Sequence, residues 1–444
     1  MQTFIMKRFI LLLGAFLLGA TSLLAKSFLV DGVNYYVTSN SEPYTVQVVP
    51  LPHADDDSNV YYSGDIVIPE QVTYDGITYA VTRLVEGAFQ SCQNLHSVVI
   101  PNSVTFIGTA AFNGCTNLTS VVMPKNIIRI ESTTFSHCTS LQSIEIPNTV
   151  IEIARLAFLN CSSLTSIDIP NSVTFIGESA FLSCTNLQSV KMSNSVERIE
   201  AQAFLQCSSL QTIDIPNSVT FLGEKAFLGC TSLQSISMSN YIRFIENETF
   251  CSCSSLKTIS LPNSIESIGQ YAFAGCSELS SVEIPNSIKS IEKFAFTSCE
   301  NLSSIFCYIE VSPQISWNSF LNLPNDKTLY VPFNCIDEYK KTEQWDGFSI
   351  VELPMVVSEV MLPFNATVKL YPNPIRDYSV LEFDNAGNDL FQLTISDVTG
   401  KIINTMQTSG NSFIVGKGLD KGVYLYSLKN TQTNQVYRNS FIVE

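Results

Sequence analysis

Cysteine returns every 23 residues, ten times without a break: Cys92, Cys115, Cys138, Cys161, Cys184, Cys207, Cys230, Cys253, Cys276 and Cys299. Phenylalanine precedes each by three residues, from Phe89 to Phe296, and leucine follows each by three, from Leu95 to Leu302. Ile or Val sits six after, and Pro usually nine after, as at Pro101, Pro147, Pro170 and Pro216. A fixed period in this range is the mark of a solenoid, because one such unit cannot bury its apolar face until a neighbour stacks on it.

The segment "CSSLTSIDIPNSVTFIGESAFLSC" (Cys161–Cys184) shows how one unit works. "LTSIDIP" alternates apolar and polar residues, which predicts a short strand. Pro170 then ends it, since proline has no N–H for a ladder. "NSVTFIG" predicts a turn and a second extended segment with Val173 and Ile176 inward. "ESAFLSC" predicts a short helical turn that turns Ala180, Phe181 and Cys184 to one side. Stacking then places the ten cysteines in a column. Two readings of that column stand: a disulfide framework, as in many exported proteins, or buried free thiols acting as small hydrophobes. The flanking residues repeat singly and not in pairs, which favours free thiols. Cys251, Cys307 and Cys335 lie off the column, and Cys307 falls at a core position.

The pattern "AFxxCxxLxxIxIPNSVxxIG" resembles the BspA-like leucine-rich repeats over about residues 65–306. The resemblance implies a mainly β solenoid, with "DGVNYYVTS" and the stretch around "TYDGITYAV" (Tyr35, Tyr36, Tyr74, Tyr79) as an N-terminal hairpin cap. It also implies a C-terminal cap closed by Trp317, Tyr330, Tyr339 and Trp345. Beyond it, alternating strands with Gly and Asp turns predict a small all-β, immunoglobulin-like sandwich. Tyr371-Pro372-Asn373-Pro374, Gly400, Gly422, Tyr424 and the final Phe441–Glu444 are similar to the C-terminal sorting domain of type IX secretion. That implies engagement of the secretion machinery and delivery to the outer-membrane surface or the extracellular space.

At the other end Lys7 and Arg8 precede the apolar run Phe9–Ala20, and Ala25 follows, the layout of an export signal. The expected organisation is therefore 1–25 signal, 26–88 cap and first partial repeat, 89–306 repeats, 307–354 cap, 355–366 linker and 367–444 sorting domain. The formal charge of −16 is made of +2 over residues 1–25, −18 over 26–365 and 0 over 366–444. That balance argues against nucleic acid, which needs a Lys/Arg surplus.

Catalytic and metal signatures are missing from the sequence. His53, His96 and His137 have no second metal ligand at useful spacing. "HADDDSN" offers Asp55, Asp56, Asp57 and Asn59. Counted as a calcium loop, however, it puts Val60 where Gly is needed and Ile66 where Glu is needed, so a solvated acidic loop is the better reading. The chain is expected to be no enzyme and to need no cofactor or metal.

Binding is left to the outward positions. Five residues after each Cys comes Ser or Thr in every unit, a hydroxyl ladder of the kind that suits stacked strands. Two further on, the residue varies and includes Glu145, Asp168, Lys191 and Asp214. A second stripe runs Phe106, Arg129, Glu152, Phe175, Arg198, Phe221, Phe244, with Arg198 placed to stack on Phe175 or Phe221. These rings either stand outward as an interaction site or fold back over the coil. The resembled family implies adhesion to host or bacterial surface proteins; glycan or nutrient binding is the alternative.

Overall fold

The structure, a computed structural model, describes residues 27–52, 61–353, 368–371, 373, 375–385, 387–397, 401–433 and 435–443. The export signal, His53, the Asp55–Asn59 loop, the 355–366 linker, Pro372, Pro374, Gly400 and Glu444 lie outside them. The chain divides into two compact units, residues 1–187 and 188–444.

The first unit opens with two hairpins. Strands Ser27–Val30 and Val33–Ser39 meet through Asp31-Gly32, and Gln71–Tyr74 and Ile77–Leu84 meet through Asp75-Gly76. All four turn residues have positive φ, the requirement of the two-residue hairpin turn that Asp-Gly favours. The hairpins share a sheet with Thr45–Val48, around a cluster in which Phe28 stacks on Tyr74 at 4.2 Å. Ile77–Leu84 then pairs in parallel with Phe106–Ile107, and Gly64–Val67 with Leu95–Val99. The cap thus supplies the first strand to each of the two parallel sheets that follow, and in the sheet begun by Ile77–Leu84 it also pairs the outer edge, through Thr45–Val48 and Gln71–Tyr74.

Within the repeats the register steps by 23 residues: Arg129 faces Glu152 and Glu152 faces Phe175 in one sheet, while Ser97 faces Ser120 in the other. The proline turn closes by Val173 N–H to Pro170 C=O at 3.0 Å. The third segment is tighter than the single helical turn the sequence suggests. Ala180, Leu182 and Cys184 N–H groups bond three residues back, to Gly177, Ser179 and Phe181. The alternate N–H groups of the preceding repeat, on Leu156, Phe158 and Asn160, bond across to Glu178, Ala180 and Leu182. Left-handed φ at Leu156 and Asn160 accompanies this alternation, as it does at Ser179 and Ser183. Every second amide therefore joins one repeat to the next, so the turn segment is bonded along the stack as the strands are.

Inside, the phenylalanines form a column. Phe89, Phe112, Phe135, Phe158 and Phe181 stack at 5.1–5.4 Å with planes within 11°. That spacing slightly exceeds the ~4.8 Å between paired strands. Tyr62 ends the column, its ring 4.6 Å from Phe89. Its hydroxyl is held by donating to Val49 C=O at 2.7 Å and accepting from Asn34 N–H at 3.0 Å. All thirteen cysteines are free thiols, and those of the column are buried. The thiol also explains why cysteine holds this position. Cys115, Cys138, Cys161 and Cys184 each donate to the carbonyl of the phenylalanine 26 residues earlier, at 3.0–3.2 Å. Cysteine is small and apolar enough for the core, yet carries one weak donor.

The second unit repeats this plan. Phe204, Phe227, Phe250, Phe273, Phe296 and Phe320 stack at 5.0–5.7 Å, and Trp345 closes the column 5.0 Å from Phe320. Cys230, Cys253, Cys276 and Cys299 donate as their counterparts do. Tyr339 donates to Ile309 C=O at 2.6 Å and lies 3.0 Å from the buried Cys307 thiol. Trp317 does not help close this end as expected: it is exposed, edge-on to Phe294 at 5.7 Å. After strand Ser349–Glu352, residues 368–443 form a three-stranded and a four-stranded antiparallel sheet. One core joins them, with Leu381, Phe383 and Phe413 from the first and Phe391, Leu393 and Phe441 from the second, as in a β-sandwich.

Candidate interaction faces

In the first unit the outward positions of the strand sheet carry an apolar column. Val67 faces Val99 and Val99 faces Val122, with 70%, 37% and 56% of their surface exposed. Beside it runs a polar column, Asp65, Ser97 and Ser120, in which Ser97 donates to Asp65 at 2.6 Å. Glu145 and Asp168 occupy the equivalent outward positions of the next two repeats and are exposed. The valine column is thus followed along the face by acid. Val99 and Val122 were visible in the repeat; Val67 was not, because it lies 32 residues before Val99 in the irregular cap.

In the second unit Lys191 and Asp214 are exposed on the strand face, and the hydroxyl ladder continues with Ser189 facing Thr212 and Thr212 facing Ser235. Further on, Glu283 faces Phe306, and Phe306 stacks on Tyr330 at 4.6 Å. The outward Glu283 is only half-exposed, and Phe306 is buried.

The second stripe is only partly bare: arginines lie over Phe106 and Phe221, while Phe244 stays 44% exposed. In the first unit Arg83 lies over Phe106 at 4.4 Å, Arg129 pairs with Glu152 at 2.7 Å, and Phe175 is half-buried. In the second, Arg198 lies over Phe221 at 4.2 Å and pairs with Glu200 at 2.9 Å, and Arg243 lies 5.5 Å from Phe244 and pairs with Glu266. Lys289 also reaches Glu266, at 2.7 Å; its hydrogen bond, then that of Arg243, holds the Glu266 carboxyl below its ordinary range. Most of the stripe's charges are answered within it. Arg83 lies 23 residues before Phe106, so the period alone could have found it. Among the described residues, no group of three or more His, Cys, Asp or Glu is placed to hold a metal ion.

The repeat geometry has its counterpart in known proteins. The family model of the BspA type leucine-rich repeat region matches six copies over residues 71–187, 105–234 and 222–340. The chain belongs to the BspA-type leucine-rich repeat family. Among solved structures, this family member is similar to a leucine-rich repeat protein from Bacteroides ovatus, with 27% identity over 73% of this chain and 99% of that one and a TM-score of 0.40. It is also similar to a leucine-rich cell surface protein from Faecalibacterium prausnitzii (24%; 74% and 94%; 0.44). A third is the pneumococcal vaccine antigen PcpA (19%; 74% and 99%; 0.38). No curated protein matches it.

A second family model, the secretion system C-terminal sorting domain, matches residues 369–444. This BspA-type protein therefore carries a type IX sorting domain that engages the secretion machinery and directs it to the cell surface or the extracellular space. Two of the described motif residues tie this domain together. Asn373 Oδ1 accepts the Ile442 N–H at 3.0 Å, tying the start of the domain to its last strand. Tyr424 donates to Asp420 C=O at 2.9 Å and stacks on Phe441 at 5.5 Å. Gly422 begins the long strand Gly422–Asn430, while Tyr371 ends the edge strand Val368–Tyr371 and is exposed. Among the described residues no helix is long and apolar enough to cross a membrane.

Proposed function

We propose that this surface protein binds protein partners, on host or neighbouring bacterial cells, through the strand face of its repeats. The observation that carries the reading is the in-register column Val67–Val99–Val122, exposed on a sheet whose backbone is fixed by parallel pairing. A contiguous apolar patch on a rigid support marks a protein contact. Glu145 and Asp168, on the following repeats, favour a partner with basic residues flanking an apolar centre. Lys191 and Asp214 extend the polar part of the strand face. Phe106 and Phe175 in the first unit, and Arg198, Phe221 and Phe244 in the second, belong to the other stripe, where Arg83 lies over Phe106 and Arg198 over Phe221, which makes it the weaker site. Recognition is by multivalent contact, without catalysis or a cofactor. A second reading, a surface glycan- or nutrient-binding module, is favoured by the hydroxyl ladder from Ser97 onward.

The test is a binding screen against matrix proteins and a glycan array, run with a Val99→Ser/Val122→Ser variant and a Phe175→Ser/Phe221→Ser/Phe244→Ser variant. Protein hits lost in the valine variant are expected. Glycan hits that survive in both variants would replace the leading reading with the second.

A further inference from the structure

The strand face of the second unit is covered in its middle. Along the hydroxyl column Thr212 and Ser235 are exposed; Thr258, Ser281, Ser304 and Thr328 are half-buried; and Ser349 is exposed again. Along the adjacent column Asp214 is exposed, Ser237 half-buried and Ser260 exposed; Glu283 is half-buried, Phe306 is buried, Tyr330 is half-buried and Val351 is exposed. Those from Ser281 to Ser349 are outward positions of one sheet, in register. Their burial therefore comes from something lying on the face.

Two polar contacts identify it. The Ser440 N–H donates to Glu283 Oε1 at 3.0 Å, and the Ser440 hydroxyl donates to the same oxygen. Thr258 Oγ1 donates to the Asn373 carbonyl at 3.2 Å. Around Glu283, Tyr308 from the solenoid and Tyr426 and Tyr437 from the sorting domain lie near enough for their charges to interact. Burial first, and these neighbours next, hold the Tyr308 and Tyr426 phenols well above their ordinary range. Asn373 and Ser440 also belong to the first and last segments of the domain that carries the sorting signature.

We propose that the solenoid's strand face from Thr258 to Tyr330 is a docking surface for the chain's own sorting domain, latched by Ser440 on Glu283 and Asn373 on Thr258, so that this part of the face opens only when that domain leaves. The proposal is independent of the valine column, which lies in the other unit. A processing step that removes the tail would then add binding surface as well as complete secretion.

The experiment uses the full chain with a protease site inserted between Leu353 and Val368. After cutting, the tail is expected to stay with the solenoid on gel filtration, and Phe306 and Tyr308 to stay protected in hydroxyl-radical footprinting. Ser440→Asp sets carboxylate against carboxylate and is expected to weaken retention at least tenfold. Adding Glu283→Gln, whose amide can donate to the new carboxylate, is expected to restore it. Tail lost merely through misfolding would not be rescued in this way. Separation of the unaltered fragments on cutting, retention unchanged by Ser440→Asp, or no rescue by the double variant would each overturn the proposal.

Discussion

Truncating one ring of the phenylalanine column tests whether that column holds the solenoid together. Phe273 is fully buried, with its ring 5.3 Å from Phe250 and 5.0 Å from Phe296. Phe273→Ala forfeits about 2–3 kcal/mol of apolar burial and two stacked contacts of ~0.5–1.5 kcal/mol each. The sum, ~3–6 kcal/mol, agrees with the ~3–5 kcal/mol typical of buried Phe→Ala changes. Phe244, one repeat earlier, is 44% exposed and touched on one side by Arg243. Phe244→Ala should cost about 1 kcal/mol, part burial and part cation–π contact. Repeat stability is a sum of nearest-neighbour terms, so the damage should appear locally before global unfolding. The amides of Phe250 and Phe273, which bond across to Ala272 and Ala295, are the reporters. Native-state hydrogen exchange at these two amides should accelerate by roughly 10³-fold for a ~4 kcal/mol loss, and much less in Phe244→Ala. Equal costs in the two variants, or less than about 1.5 kcal/mol for Phe273→Ala, would refute the view that the ring column carries the packing energy.

Three further outcomes follow from the same structure. Thiol titration of the native protein should label Cys251 and Cys335, the two half-buried thiols, and all 13 in denaturant; burial pushes Cys184 and Cys230 up to about 12, so they are protonated as well as inaccessible. A denatured count near three would instead mean that the ten-thiol column is oxidised. Thr133, a β-branched residue at φ 55°, should gain about 1 kcal/mol in unfolding free energy when replaced by glycine, and a lower urea midpoint would contradict that. Burial pushes the Glu283 carboxyl up to about 7 from 4.5, against the opposing pull of the Ser440 donors. The facing phenols Tyr308, Tyr426 and Tyr437 are neutral through this window. The docked form thus holds its proton more tightly than the released form. Docking is strongest below pH 4.5, weakens as pH rises through 7, and loses roughly 3 kcal/mol in all. Tail retention after linker cleavage should therefore fall between pH 5 and 8, with the dependence flattened in Glu283→Gln; pH-independent retention in the unaltered chain would refute the assignment.

Much of this molecule is written in its 23-residue beat. The inward Phe, Cys, Leu and Ile positions, the proline turn, the in-register hydroxyls and the Phe–Arg stripe all follow from stacking identical units, because each residue's main partner is its own counterpart one repeat away. The Asp-Gly turns of the cap and the ordered motifs of the sorting domain were legible for a similar local reason: their backbone requirements select particular residues. What the tertiary structure decided are the places where the partner is not the counterpart. The thiols reach back 26 residues to a carbonyl, which no spacing of side chains announces. Tyr62 closes the ring column from an irregular cap, while of the two tryptophans expected at the other end Trp345 closes the column and Trp317 stays outside. Ser440 meets Glu283 across 157 residues and Asn373 meets Thr258 across 115. Periodicity encodes contacts between neighbours in the stack; a contact between a repeat and a separate domain is chosen by shape and burial, and leaves no period to read.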